Sequence, residues 1–159
     1  GIHFIQYLED GHYTGIDANT SLIRAGKTEL KKVNLDRNKP NFILDENFDY
    51  KEWGGKFDYI ISISLFTHLP ITLIEHCISS VAKVMVNYGA FYFSFFLCKE
   101  HEKIVVQNDL GLKTHPFKDP YHQTKKQIET IAEKNQLKFE YIGEWKHPRN
   151  QKMACLRNE

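Results

Sequence analysis

His12-Tyr13-Thr14-Gly15-Ile16-Asp17-Ala18-Asn19 and, about forty residues on, Phe57-Asp58-Tyr59-Ile60-Ile61-Ser62-Ile63-Ser64-Leu65-Phe66-Thr67-His68-Leu69 are the stretches from which the fold is read. Each is a short apolar run ending in small or polar residues, as strands do in an open α/β sheet, and an acid stands at the tip of the first. Tyr13, Gly15 and Ile16 suit a buried or half-buried strand, where a terminal carboxylate is costly unless it finds partners. The vicinal hydroxyls of a ribose are such partners, each able to donate to one carboxylate oxygen in a bond worth roughly 1.5–3 kcal/mol. A second reading has Asp17 capping a helix that begins near Asn19 or Thr20.

Outward from these strands the pattern alternates. Ile2, Ile5 and Leu8 recur at helical spacing and predict an opening helix that ends near Asp10-Gly11. Asn19 to about Lys31 reads as a second helix with Leu22, Ile23 and Leu30 inward, and Asn41-Phe42-Ile43-Leu44-Asp45 as a short strand. A turn or brief helix from Tyr50 to Trp53 is closed by Gly54-Gly55. Pro70 suits the first turn of the next helix, whose Ile71, Ile74, Ile78, Val81 and Met85 form one apolar stripe. Gly89 to Leu97 is an aromatic strand for the centre of a covered sheet, with Phe91, Phe93, Phe95 and Phe96 as core. Lys99 to His122 reads as irregular, and Gln123 to Asn135 as a helix with Ile128, Ile131 and Ala132 inward. Leu137 to Trp145 and Lys152 to Leu156 close the chain as an antiparallel pair, which their short joint requires. The expectation is one α/β domain over residues 1–159: a doubly wound, mostly parallel sheet with a C-terminal antiparallel hairpin strand.

A chain of 159 residues with 42% apolar side chains can bury one sizeable core. Its 21 basic and 20 acidic residues nearly cancel, and no basic block is long enough to track a phosphate backbone, so nucleic acid is not indicated as a partner. Cys77, Cys98 and Cys155 are widely spaced and read as free thiols in a reducing compartment. No apolar run is long enough to span a membrane, and the opening GIHFIQYLED has neither the basic start nor the cleavage site of a signal peptide. A cytoplasmic protein is the default.

With these residues in view, the chain resembles a class I S-adenosylmethionine-dependent methyltransferase over nearly its whole length. The resemblance implies a Rossmann-like fold and S-adenosyl-L-methionine as cofactor. It implies that Asp17, with Ala18 beside it, holds the ribose hydroxyls, that Asp45, Asn47 and Phe48 flank the adenine, and that Ser62 and Ile63 lie beside the methionine portion. Leu65-Phe66-Thr67-His68-Leu69 resembles the family's strand-to-helix passage, Gly89 its turn into the fifth strand, and the closing hairpin its reversed strand. Two departures stand out. The family's first strand and glycine-rich GxGxG loop should precede the first helix, and Gly1 corresponds at most to the last glycine of that loop. The expectation is therefore an N-terminally truncated domain, with the missing strand supplied by an upstream segment or partner chain, or the gap closed by the remaining strands. The other departure is Val86-Asn87-Tyr88-Gly89, where the family has a proline before the glycine.

Methyl transfer from a sulfonium needs alignment and exclusion of water, and a base only when the acceptor must lose a proton. His68 is the candidate base, because it follows the strand from Phe57 at the end facing the cofactor; its alternative is a helix cap or a bond to a backbone carbonyl. Tyr121 and His122 end the segment that shapes the acceptor pocket in this fold and are candidate substrate contacts, or else ordinary loop residues. His147-Pro148-Arg149 is a solvated turn or an anion fork. No HExxH or paired Cys/His spacing supports a metal. Three functions compete: a small-molecule methyltransferase, a non-catalytic binding or scaffold module of the same fold, and a nicotinamide dehydrogenase, which the Phe57-Asp58 strand and terminal hairpin disfavour.

Overall fold

A computed structural model describes residues 1–100 and 102–159. The chain forms two compact units, Gly1–Gly54 and Gly55–Glu159.

The first unit is a βαβ arrangement behind a single helical turn. Helix α1 (Ile2–Ile5) starts from the Gly1 carbonyl, which accepts the Phe4 and Ile5 N–H groups at 2.9 and 3.3 Å. It stops well short of the expected Asp10. Ile5 is buried but Leu8 is exposed, and a turn with no further apolar face to bury does not propagate. Strand β1 (Thr14–Asp17) runs parallel to β2 (Asn41–Leu44), in register from Thr14 opposite Asn41 to Asp17 opposite Leu44. Helix α2 (Thr20–Lys32) joins them, its N-cap Asn19 accepting the Ser21 and Leu22 N–H groups, with Lys31 and Lys32 at the end that favours cations. Leu30 is buried and Ile23 half-buried, whereas Leu22, expected inward, is exposed. At about 100° per residue Ile23 falls within about 20° of Leu30 on the helix wheel, and Leu22 about 80° away.

The second unit carries a five-stranded sheet. Strand β3 (Phe57–Ser62) passes through α3 (Ile71–Val84) to β4 (Met85–Leu97), its parallel neighbour. A small hairpin, β5 (Val105–Val106) with β6 (Lys113–Thr114), lies within the stretch expected to be irregular, and a short strand β7 (His122–Gln123), parallel to β4, takes Gln123 from the expected start of the next helix. Helix α4 (Lys125–Lys134) opens with a reciprocal cap between Thr124 and Gln127. It leads to β8 (Lys138–Glu144) and β9 (Lys152–Arg157), and the order is β3-β4-β9-β8, with β7 also on β4. The sheet is mixed rather than mostly parallel. Strand β9 is antiparallel to both β4 and β8, so antiparallel ladders match parallel ones in number.

Strand β4 begins at Met85, ahead of the expected Gly89. Phe57 pairs with Met85 but Tyr59 with Ala90, so the extra residues bulge, and Tyr88 takes a left-handed φ of 63° while its N–H donates to the Asn158 carbonyl at 2.6 Å. Most of the expected stripe is core, though Ile71 is only half-buried and Met85 belongs to β4. Ile74, Ile78 and Val81 of α3, Ile128, Ile131 and Ala132 of α4, and Phe91, Phe93, Phe95 and Phe96 are buried. Phe66 joins them, its ring 4.9 Å from Phe93. Burial of each such side chain contributes about 1.5–3 kcal/mol. Cys77, Cys98 and Cys155 are buried free thiols. Among the described residues β1 pairs with β2 alone and β3 with β4 alone, so each is an edge strand. No helix among the described residues is long and apolar enough to cross a membrane.

Candidate active site

In the first unit the chemistry gathers where β1 and β2 end. Asp17 does not cap α2; Asn19 does. The Asp17 carboxylate accepts the Asn19 N–H at 2.7 Å through Oδ1, and no other group among the described residues bonds it. A carboxylate offers about four acceptor sites, so Oδ2 and one lone pair of Oδ1 remain, on a half-buried side chain, to receive two hydroxyls. Ala18 beside it is exposed. At Gly1 a Cβ would stand 2.7 Å from the Tyr13 hydroxyl, so a larger residue would have to displace that side chain. Burial raises the Tyr13 phenol and keeps it protonated.

Asp45 serves its own loop. Its Oδ1 accepts the Asn47 N–H at 2.8 Å, and Oδ2 accepts the Asp49 N–H at 2.9 Å and the Trp53 indole Nε1–H at 2.6 Å. This fixes Asn47 and Phe48, the latter at a left-handed φ of 55°, in the turn after β2.

In the second unit the end of β3 is clamped. Ser64, at a left-handed φ of 62°, donates its N–H to Ser94 Oγ at 2.8 Å. The Ser64 and Ser94 hydroxyls both donate to Gln151 Oε1, at 3.1 and 2.6 Å. Ser94 and Gln151 are buried, so the clamp ties the end of β3 to β4 and to the residue before β9. The Ser62 hydroxyl is buried without a hydrogen-bond partner among the described residues, and Ile63 is exposed.

The chain then turns through a 3₁₀ helix, Phe66–His68, where Thr67 Oγ1 donates to the Ser64 carbonyl at 2.7 Å. His68 Nδ1 lies 2.9 and 3.0 Å from the two carboxylate oxygens of Asp119, a partner that no local sequence pattern marks. Tyr121, half-buried, donates its N–H to the Thr67 carbonyl at 2.7 Å, which brings it to the same turn.

His122 is committed within its own segment. It is buried, with Nε2 donating to the Glu102 carbonyl at 3.2 Å and Nδ1 accepting from Thr114 Oγ1 at 2.9 Å. Burial lowers its pKa, which favours the neutral ring that this pattern needs. Both ring nitrogens are therefore used inside the segment, and its role is to hold β6 and β7 together. His147 stacks on Trp145 at 5.1 Å and accepts the Arg149 N–H at 3.2 Å, while Asn150 of the same joint donates its side-chain amide to the Gln107 carbonyl. Burial, then Arg149, lowers its pKa. Burial and Glu102 push the Cys98 thiol up to about 11, so it is no nucleophile near neutral pH. Among the described residues no group of three metal-ligating side chains occurs.

No family profile and no curated protein matches the sequence. Solved structures do match by shape. A putative O-methyltransferase of Nostoc punctiforme PCC 73102 superposes with a TM-score of 0.73 at 14% identity, over 99% of this chain and 47% of its own. The fold is that of the class I methyltransferases. The magnesium protoporphyrin IX methyltransferase of Synechocystis PCC 6803, solved with bound SAH, shares this methyltransferase fold with a TM-score of 0.66 at 17% identity, over 92% of this chain and 63% of its own. A SAM-dependent methyltransferase of Methanosarcina mazei matches with a TM-score of 0.60 at 16% identity, over 91% of this chain and 79% of its own. The chain thus spans less than two thirds of the Synechocystis enzyme's length. In the first unit the Asp17 carboxylate, bonded only by the Asn19 N–H among the described residues, has acceptor capacity left that fits the two hydroxyls of a ribose.

Proposed function

We propose that this chain is an S-adenosylmethionine-dependent methyltransferase domain that acts on a small-molecule acceptor. The observation that carries the reading is the Asp17 carboxylate at the carboxyl end of β1, held by one backbone N–H and otherwise open to hydroxyl donors. When bound, the cofactor supplies a methyl group already activated on a sulfonium. The remaining work falls to the residues of the chain. Asp17 grips the ribose, with Gly1 and Ala18 leaving room beside it, and Asn47 and Phe48 flank the adenine on a loop braced by Asp45. Ser62 and Ile63 meet the methionine portion. His68 receives a proton from the acceptor, and Tyr121 shapes the acceptor's approach. The free edges of β1 and β3 would accept a strand from an upstream segment or a partner chain. Three buried thiols suit a cytoplasmic setting.

Calorimetry with S-adenosylhomocysteine and NAD tests the reading. Saturable binding of the former alone supports it. Binding of neither favours a scaffold module, and binding of NAD alone favours a dehydrogenase.

A further inference from the structure

We propose that Asp119 is the positioning residue that makes His68 a base for an acceptor that must lose a proton to be methylated, as a hydroxyl does; this rests on the methyltransferase reading above. An ionised carboxylate only accepts, so Nδ1, within 3.0 Å of both Asp119 oxygens, bears the ring proton. The lone pair is thereby left on Nε2, which no group among the described residues bonds. As an ion pair at the surface the contact adds little stability, because the two side chains are 54% and 55% exposed. Its consequence is directional. Asp119 is the one charged side chain among the described residues within ion-pair distance of His68.

The backbone on both sides is fixed before the side chains meet. His68 is held through the Thr67 bond to Ser64, and Ser64 through the clamp to Ser94 and Gln151. The Asp119 segment is pinned by the Tyr121 N–H on the Thr67 carbonyl and by the His115 N–H on the Pro120 carbonyl at 2.9 Å. Two ordered backbones lower the entropy lost in pairing the side chains. In the proton step, the acceptor hydroxyl gives its proton to Nε2 while the O–H bonding pair stays on oxygen. The ring becomes an imidazolium facing Asp119, and the Nε2 proton then passes to water. A carboxylic acceptor is already ionised near neutral pH and has no use for such a base.

Imidazole ¹⁵N NMR of the full chain reads the arrangement directly, with the His68 signals assigned through His68→Gln. The expected result is a protonated Nδ1 with a bare Nε2 in the wild type. Asp119→Ala shifts the proton to Nε2, and Asp119→Glu restores it. A wild-type ring protonated on Nε2, or a ring unchanged in Asp119→Ala, overturns the positioning role. Calorimetry with S-adenosylhomocysteine is run on the same samples, where equal binding by wild type and Asp119→Ala rules out a folding defect. If no sample binds it, the methyltransferase reading fails while the tautomer result stands. With labelled S-adenosylmethionine and catechol or benzoate as probes, catechol alone is expected to be methylated. Asp119→Ala should then lower kcat about tenfold with KM retained. Turnover of benzoate alone, or of neither, overturns the assignment of an acceptor that must lose a proton.

Discussion

Replacing Asp45 by alanine separates a residue that builds the adenine loop from one that touches the ligand. The carboxylate receives three N–H groups: Asn47 at 2.8 Å, Asp49 at 2.9 Å and the Trp53 indole at 2.6 Å. Trp53 is 5% exposed, so its N–H would be left without water or partner, at a cost of about 1–3 kcal/mol. The two backbone N–H groups lie in exposed loop and are resolvated, adding about 1 kcal/mol together. The expected loss is about 2–4 kcal/mol, a roughly 30- to 800-fold change in the local unfolding constant. The chain has two tryptophans, so a Trp145→Phe background isolates Trp53 emission during urea unfolding. Asp45→Asn can keep its carbonyl on Asp49 and Trp53 and should lose only about 1 kcal/mol. An alanine variant whose Trp53 unfolds at the wild-type urea concentration would refute the bracing role.

Asp17→Ala should raise the dissociation constant for S-adenosylhomocysteine about ten- to a hundredfold, by loss of one or two charge-assisted bonds; an unchanged constant in calorimetry removes Asp17 from the site. Ser94→Ala leaves the Ser64 N–H and Gln151 Oε1 each short of a buried partner and should cost about 2 kcal/mol in chemical denaturation, with no cost counting against the clamp. The lowered pKa of His122 means that the unfolded chain binds its proton more readily than the folded one. The associated stability is complete above the ordinary histidine value of about 6.5 and is lost as pH falls through the lower folded value. Denaturation midpoints should fall between pH 7.5 and pH 5 in the wild type and fall less in His122→Gln; equal slopes would contradict the neutral buried ring.

What could be read in the sequence was local. The β1–α2–β2 unit follows from a strand and a stripe in one window, although its helix is capped by Asn19 and not by Asp17, and the closing hairpin from a joint too short for a crossover. The aromatic core follows from alternation in a single strand. What could not be read depends on partners far along the chain. Asp119 meets His68 across 51 residues, and Gln151 meets Ser64 across 87. His122, grouped with Tyr121 by adjacency, spends both ring nitrogens on Thr114 and Glu102, partners 8 and 20 residues back along the chain. The indole that claims Asp45 lies eight residues on, beyond any turn motif. Leu22 shows the smaller error of counting apolar residues without their angle on the helix.

The most direct measurement is a titration of ¹⁵N-labelled chain with S-adenosylhomocysteine, following the backbone amides. The account predicts saturable shifts at Asp17, Ala18, Asn47, Phe48, Ser62 and Ile63, abolished by Asp17→Ala. Shifts confined to other residues, or none at all, would contradict it.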